Sequence, residues 1–544
     1  MKIIATSALL AMSVMLVGAP ASAQSFRVQC PAITALHPGR CSGGTNAGQA
    51  CQKAPDCPDA TGSCLPMGAS VDPAHPGQIK CQHVGGGDGF ATMGDGHQIY
   101  LFAFSPLSGL ADIEAGKPGT STADVFNAGY LGPNYSTVGA GTCSGGTNAG
   151  EPCRALSECP DRASSGVACT LPSGINVAAT PNNGAITEPA GIMDMGILAG
   201  NAPAPMMAID EDDEFFLTLS NPGMIMRPDL FEQHTVHFHG YPNASSYFDG
   251  VPDASVAINI AGSFTYYYTA PDAGTYFWHC HITPPEHLQM GMVGQLYVRP
   301  RQNRLNANQS LRDALIAGNR QAAVDPLATG MGCSDLLCTG QTPVPPPNAA
   351  TGGARYAYND GDGSTRYDVE YPIQMMGFDP NFHYVGMTFN PEAFADMKDK
   401  YFLLSGRSYP DTVAPGPIST LSADGVSRPS QPVPALIKID KSAGQTRALL
   451  RISDLSVTEF TTLATIGIPM KVIAQNARLL RDLAGNNLYY DTNSITLGGG
   501  ESADVLLDAT DVPQGTYFLY STNLDHLSND AENFGGMMTE IQVN

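Results

Sequence analysis

The stretch GTYFWHCHITPPEHLQMGM, Gly274 to Met292, limits the folds open to this chain more than any other. Its aromatic and β-branched residues read as a strand that ends in a loop. On a strand successive side chains point to opposite faces, so His279 and His281 share one face and Cys280 takes the other. Three imidazoles, one thiol and two thioethers (Met290 and Met292) crowd into this strand and its loop. Ordinary core packing has no use for that mixture. A second stretch, EQHTVHFHG, carries His234, His237 and His239. Read as a strand, it sets His237 and His239 on one face, about 6–7 Å apart along the chain.

Laid side by side, the two strands offer four imidazoles on one side of a sheet and a thiolate on the other. His287 and Met292 follow Cys280 in the loop, and His234 precedes the other strand. Two His, one Cys and a weak axial Met form a blue-copper donor set. The thiolate favours Cu(I), imidazole accepts both oxidation states, and a thioether tunes the potential. His237, His239, His279 and His281 suit a second metal site that shares backbone with the first. A lone His is most simply a satisfied core residue; His83 and His97 are read that way, as structural or surface groups.

Together the motifs resemble those of the multicopper oxidase and cupredoxin family. Its last copper domain carries His-Pro-x-His-x-His-Gly and later His-Cys-His-(x)-His-(x)-Met. The resemblance covers about 88–106, 185–300 and 367–544, and includes FDGVPDAS and GSFTYYYTAPDAGTYFWHCH. It implies that His234, Cys280, His287 and Met292 hold type 1 copper, that His237 matches a type 2 ligand, and that His239, His279 and His281 match type 3 ligands. The catalytic relay it implies is His279-Cys280-His281. Two departures stand out. The Cys-to-His gap is two residues longer than usual, with Pro284-Pro285 inside it, so Met290 competes with Met292; the His-to-Met spacing favours Met292. The family's trinuclear cluster also uses eight His, and this chain supplies four.

The implied fold is all-β: two cupredoxin-like Greek-key β-sandwich domains with disulfide-stapled, Cys-rich insertions. Residues 1–23 read as a signal peptide, with Lys2, an apolar run and Ala21-Ser22-Ala23 in order. A Cys-rich extension follows over 24–82. The copper-binding domain takes 83–300, interrupted by a Cys-rich insertion at 122–182, and a linker takes 301–366, with a short helical piece around 308–323. The second domain, 367–544, repeats the grammar of the first without metal ligands. GTYFLYSTNLDHLSNDAENFGGMMTEIQV lines up with the opening stretch and sets Tyr520, Ser521 and Thr522 at the His279, Cys280 and His281 positions. IPMKVIAQN is taken as the partner of QHTVHFHGY. The second copy's own imidazoles are His383 and His526, and His526 is weighed as a third ligand beside His239 and His279.

Thirteen Cys in an exported chain is an odd number. CSGGTNAG opens two four-Cys repeats, Cys41, Cys51, Cys57, Cys64 and Cys143, Cys153, Cys159, Cys169. Such small Gly-rich units have almost no core, and disulfides are the usual remedy. The connectivity inside each unit stays open. Cys30 is paired with Cys81 and Cys333 with Cys338, which leaves Cys280 as the free thiol. The formal net charge of -23 disfavours nucleic acid and anionic lipid and favours cationic partners. No segment after the signal is long and apolar enough to cross a bilayer.

The function expected is an exported copper oxidoreductase of the multicopper oxidase type, periplasmic or secreted. Electrons from a reduced small molecule, metal ion or redox protein enter at type 1 copper through an exposed His287. They pass through His-Cys-His to a histidine-bound copper, with oxygen as acceptor. The alternatives are a blue-copper electron carrier or copper-holding protein, and a nitrite-reductase-like enzyme; an adhesive surface role leaves the ligands unexplained. A homo-oligomer, a trimer above all, is the assembly considered.

Overall fold

The computed structural model describes residues 26–57, 62–66, 77–135, 141–153, 158–159, 161, 164, 166–170, 176–178, 180–241, 245–270, 272–304, 355–387, 393–482 and 486–544. The proposed signal peptide, the Cys333–Cys338 pair and the 308–323 helix lie outside the described residues. Among the described residues no helix is long and apolar enough to cross a membrane.

Two sandwiches of similar plan follow one another. In the first, one sheet runs β6-β4-β1-β2, from strands β1 (Ile79–Thr92), β2 (Gln98–Pro106), β4 (Glu214–Ser220) and β6 (Ser263–Thr269). The facing sheet runs β3-β8-β7-β5, from β3 (Met207–Asp210), β5 (His237–His239), β7 (Gly274–His279) and β8 (Val293–Arg299). Between them Phe104, Phe215, Phe238, Tyr266, Tyr268 and Trp278 fill an aromatic core. Alternation drives this packing: Phe238 and Trp278 point inward, while His237, His239 and His279 point out from the same strands.

The second sandwich uses β9 (Val369–Phe378), β10 (Tyr401–Leu404), β12 (Arg447–Asp454), β14 (Met470–Gln475) and β16 (Ser502–Asp508) in the order β14-β16-β12-β9-β10. Its other sheet runs β11-β18-β17-β13-β15, from β11 (Ile437–Ile439), β13 (Thr461–Ile466), β15 (Ser494–Leu497), β17 (Gly515–Ser521) and β18 (Met538–Val543). Strand senses repeat as well. β3 is parallel to β8, as β11 is to β18; β8 is antiparallel to β7, as β18 is to β17.

This register corrects one expectation. IPMKVIAQN contains β14, which pairs with β16 in the opposite sheet. The true counterpart of EQHTVHFHG is EFTTLATIG. β13 sets Ala464 opposite Tyr520, as β5 sets His237 opposite His279. Without its histidines β13 had no label by which to be recognised. Met224 and Met226 lie on a loop; Met224 is buried and Met226 packs against the core.

Both Cys-rich units close first to third and second to fourth: Cys41–Cys57 and Cys51–Cys64, then Cys143–Cys159 and Cys153–Cys169. Cys30–Cys81 ties the N-terminal segment to β1. Cys280 is free and buried. The ends of the segment read as a linker hold one another, with Gln302 Nε2 donating to Asp360 Oδ1 at 2.8 Å.

The sandwiches meet along β7 and β8. Thr275 Oγ1 on β7 donates to Asp504 Oδ1 on β16 at 2.6 Å, and Gln295 Nε2 on β8 donates to the Arg451 carbonyl at 2.9 Å.

Candidate metal centre

The end of β7 brings two donor sets together. On the core side, Cys280 Sγ stands 3.2 Å from His287 Nδ1 and 3.9 Å from His234 Nδ1. The donor atoms of these three buried residues all lie within 4.8 Å of one another. The backbone of Thr235 donates its N–H to the sulfur at 3.4 Å, and His281 N donates to Thr235 Oγ1 at 2.9 Å, locking the two segments together. Gly86 allows this closeness: a Cβ there would stand 2.8 Å from the His234 ring.

Pro284 and Pro285 explain the long Cys-to-His gap. They open a short helix, α1 (Pro284–Gln289), where proline's fixed φ suits the first turn. His287 therefore sits on a helix and not, as expected, in a loop. The turn returns its ring to the sulfur. Met292 N donates to the His287 carbonyl at 2.8 Å, and Cys280 N donates to the Met292 carbonyl at 3.1 Å. This extends the β7–β8 register, so Met292 stands directly opposite Cys280 and on the same face. Met290 instead lies under Gly386, where an added Cβ would meet its methyl at 2.9 Å. Met292 is the better axial candidate.

The expected exposure of His287 is contradicted. The ring is 0% exposed. Phe102 covers it edge-on at 5.8 Å, and the Glu232 carboxylate lies 3.6 Å from its Nε2. Glu232 comes from the segment before His234, so its position depends on tertiary pairing that spacing does not reveal.

The charges in this pocket are mutually supporting. Burial alone would raise the Cys280 thiol, but the His287 and His234 imidazoles outweigh it and hold the thiol well below its ordinary range. Burial would likewise depress His287, yet the Cys280 thiolate and Glu232 push it up to about 10. A thiolate is the form that binds metal.

The second set lies on the other face. Donor atoms of His237, His239 and His279 fall within 4.8 Å of one another. His281 joins them, its ring 5.2 Å from His237 and 5.5 Å from His279. His279 Nδ1 donates to the Cys280 carbonyl at 2.7 Å, and His237 Nδ1 donates to the Asp249 carbonyl at 2.7 Å. Each bond fixes a tautomer and leaves Nε2 as the ligating nitrogen. Burial lowers His279 to about 3 and also lowers His239, so both rings stay neutral and able to ligate.

Other imidazoles stay apart. His83 is buried between the Ile186 carbonyl and Ser220, and exposed His97 pairs with Asp95. His383 bridges the Tyr100 and Gln289 carbonyls. His526 is no third ligand for His239 and His279. Its Nδ1 meets Ser521 Oγ at 3.0 Å, its Nε2 meets Glu459 at 3.2 Å, and its ring stacks on Phe402. These contacts copy those of His287. Met537 N donates to the His526 carbonyl and Ser521 N to the Met537 carbonyl, as Met292 and Cys280 do. Ser521, His526, Met537, Thr461 and Glu459 thus stand for Cys280, His287, Met292, His234 and Glu232.

A thiol, two imidazoles and a nearby thioether within a cupredoxin-like sandwich form a donor set whose chemistry fits copper. Residues 184–303 match the family model described as multicopper oxidase. Over 112 residues the chain is 34% identical to multicopper oxidase MCE of Talaromyces pinophilus, covering 20% of this chain and 17% of that protein. Over 159 residues it is 28% identical to multicopper oxidase MmcO of Mycobacterium tuberculosis, covering 27% of this chain and 28% of that one. The matches thus span less than a third of either relative. Among solved structures, a blue copper oxidase from Nitrosomonas europaea aligns with a TM-score of 0.40 at 19% identity, covering 63% of this chain and 78% of that one. Residues 184–303 are thus similar to the multicopper oxidase family, and copper is the cofactor that this similarity implies.

Proposed function

We propose that this protein is an exported copper oxidoreductase with two copper sites in one chain. The observation that carries this reading is Cys280 between His279 and His281, with three metal-capable side chains converging on each face of the same strand end. His234, Cys280, His287 and Met292 would hold a type 1 copper; His237, His239 and His279, with His281 beside them, would hold a second. Copper, when bound, supplies a one-electron couple at each set.

The chain's own residues do the rest. Cys280 links the two sets through a few covalent bonds, and the His279-to-Cys280 carbonyl bond holds the shorter path rigid. Burial of Cys280 and His287 excludes water, so little solvent reorganises when charge changes there. His239 is exposed, which opens the second set to a dissolved acceptor, and oxygen is the acceptor proposed. The five cystines among the described residues suit an oxidising compartment outside the cytosol.

A second reading, a mononuclear three-His site of the kind nitrite reduction uses, is favoured by the convergence of three donor atoms from a single chain. The test is copper content by mass spectrometry with optical and EPR spectra of copper-loaded protein, followed by oxygen and nitrite uptake. Two coppers per chain, one blue and one not, with uptake of oxygen support the proposal. Uptake of nitrite alone moves the assignment to the second reading. One blue copper and no turnover refutes both and leaves an electron carrier.

A further inference from the structure

His287 is buried, so no small donor can touch the imidazole that faces the type 1 thiolate. Electrons must enter over the surface outside it, and that surface has a distinct make-up. The bridge between His234 and Ile258 continues outward through Gln233 Nε2, which donates to Asn259 Oδ1 at 2.6 Å. Glu232 therefore lies opposite Ile260. Asn221 Nδ2 ties the two arms, donating to the Glu232 and Ile258 carbonyls at 2.8 and 2.9 Å. Phe231, next to Glu232, is 84% exposed; Ile225 is 49% exposed and Ile260 39%. Ile260 packs over Gly223, on the loop that carries Ile225. The Glu232 carboxylate lies 3.6 Å from His287 Nε2, Glu286 directly precedes His287 in the chain, and Asp229 pairs with Arg227.

From this we infer that the face over Glu232 is the docking surface for a small basic one-electron carrier protein. The inference rests on the proposed type 1 role of the Cys280 site. Two antiparallel segments tied by Asn221, with a protruding Phe beside them, have the form of an interface anchor, since aromatic side chains dominate binding hot spots. Carboxylates around it, on a chain of net charge -23, steer a cationic partner. A closed imidazole suits transfer across a protein contact. One electron leaves the reduced carrier and one arrives at the Cys280 site per encounter; no atom or proton is exchanged.

The test uses copper-loaded full-length protein and two reduced probes, a basic c-type cytochrome and ascorbate. Binding of the cytochrome is followed by surface plasmon resonance, and bleaching of the blue band by stopped flow. Cytochrome affinity should fall about tenfold or more when salt rises from ~20 to ~200 mM. Phe231→Ser should weaken cytochrome binding by about tenfold and slow its bleaching in step. Phe534→Ser, on an equally exposed ring in the second sandwich, should change neither, and ascorbate should bleach every variant at one rate. Cytochrome binding that is indifferent to Phe231→Ser overturns the docking face, and so does an equal loss with Phe534→Ser. If the native protein shows no blue band to bleach, the type 1 reading itself has failed, a result distinct from normal bleaching by ascorbate without Phe231-dependent docking.

Discussion

Glu370→Gln probes what presses the second sandwich against the metal strand. Glu370 Oε1 accepts from Arg299 Nη2 at 2.7 Å, at the end of β8. Its Oε2 accepts from Arg451 Nε and Tyr367 OH, both at 3.0 Å. The Tyr297 ring lies between the two guanidiniums, 5.1 Å from Arg299 and 4.8 Å from Arg451. Burial would raise the carboxyl, but the two guanidiniums outweigh it and hold it at about 2, against an ordinary 4.5. That difference, 4.5 − 2 = 2.5, at about 1.36 kcal/mol per unit corresponds to roughly 3 kcal/mol. Because the folded value is depressed, this stability is fully present above pH 4.5 and is lost as pH falls through 2.

The assay is urea unfolding of native and Glu370→Gln proteins across pH, read by far-UV circular dichroism and by Trp278, the single tryptophan and a core residue of the copper sandwich. The difference in unfolding free energy should be about 3 kcal/mol at pH 7 and should shrink toward zero between pH 4.5 and 2. Taking the difference cancels the other carboxylates. Equal stability at pH 7, or a gap that widens as pH falls, would refute the reasoning.

Four further outcomes can be checked together. Cys280→Ser should abolish the blue absorption band, and a variant that stays blue would sink the thiolate assignment. His237→Ala should keep the band while copper per chain falls by one on mass spectrometry. Gly500→Ala should weaken the second copper and leave the first intact. The Gly500 backbone has φ +88°, and an added Cβ would stand 3.2 Å from His239 Nε2; a titration showing both coppers unchanged would dismiss this wall. Ser521→Cys combined with Thr461→His should create a second blue centre, seen as a doubled band per chain, if the second sandwich keeps the first one's scaffold.

What was legible in the sequence followed from local alternation. His237 with His239, and His279 with Cys280 and His281, reveal their faces because a strand has a period of two. Both donor sets could be proposed from that alone, and so could the disulfide units, whose cysteines have no other use. The burial of His287 could not be read. Phe102 and Glu232 cover it from other segments, and Pro284 and Pro285, inside the stretch read as a loop, begin a helix. The partner of EQHTVHFHG was missed because three of its identifying residues are Thr461, Ala464 and Ile466, ordinary residues in any strand. Backbone register recovers the match that composition had lost.

That match changes what the second sandwich is for. A copy that had merely lost its ligands would be free to drift, yet Ser521, His526 and Glu459 keep the first copy's bonding pattern. A Ser hydroxyl and an imidazole bond one another without a metal, with a carboxylate 3.2 Å from the ring's other nitrogen, so a polar cluster stands in place of a binding site. Meanwhile the loop at Gly498–Gly500 approaches His239 closely, Gly500 N donates to the Asp454 carbonyl at 2.9 Å, and Asp504 receives Thr275 from the metal strand. The second sandwich thus gives no donor to either set among the described residues, but it fixes the strand that carries one set and forms part of the wall of the other. A sandwich that gives no donor can share the other's plan because its work is mechanical: holding imidazoles in place demands packing, and packing is what its fold provides.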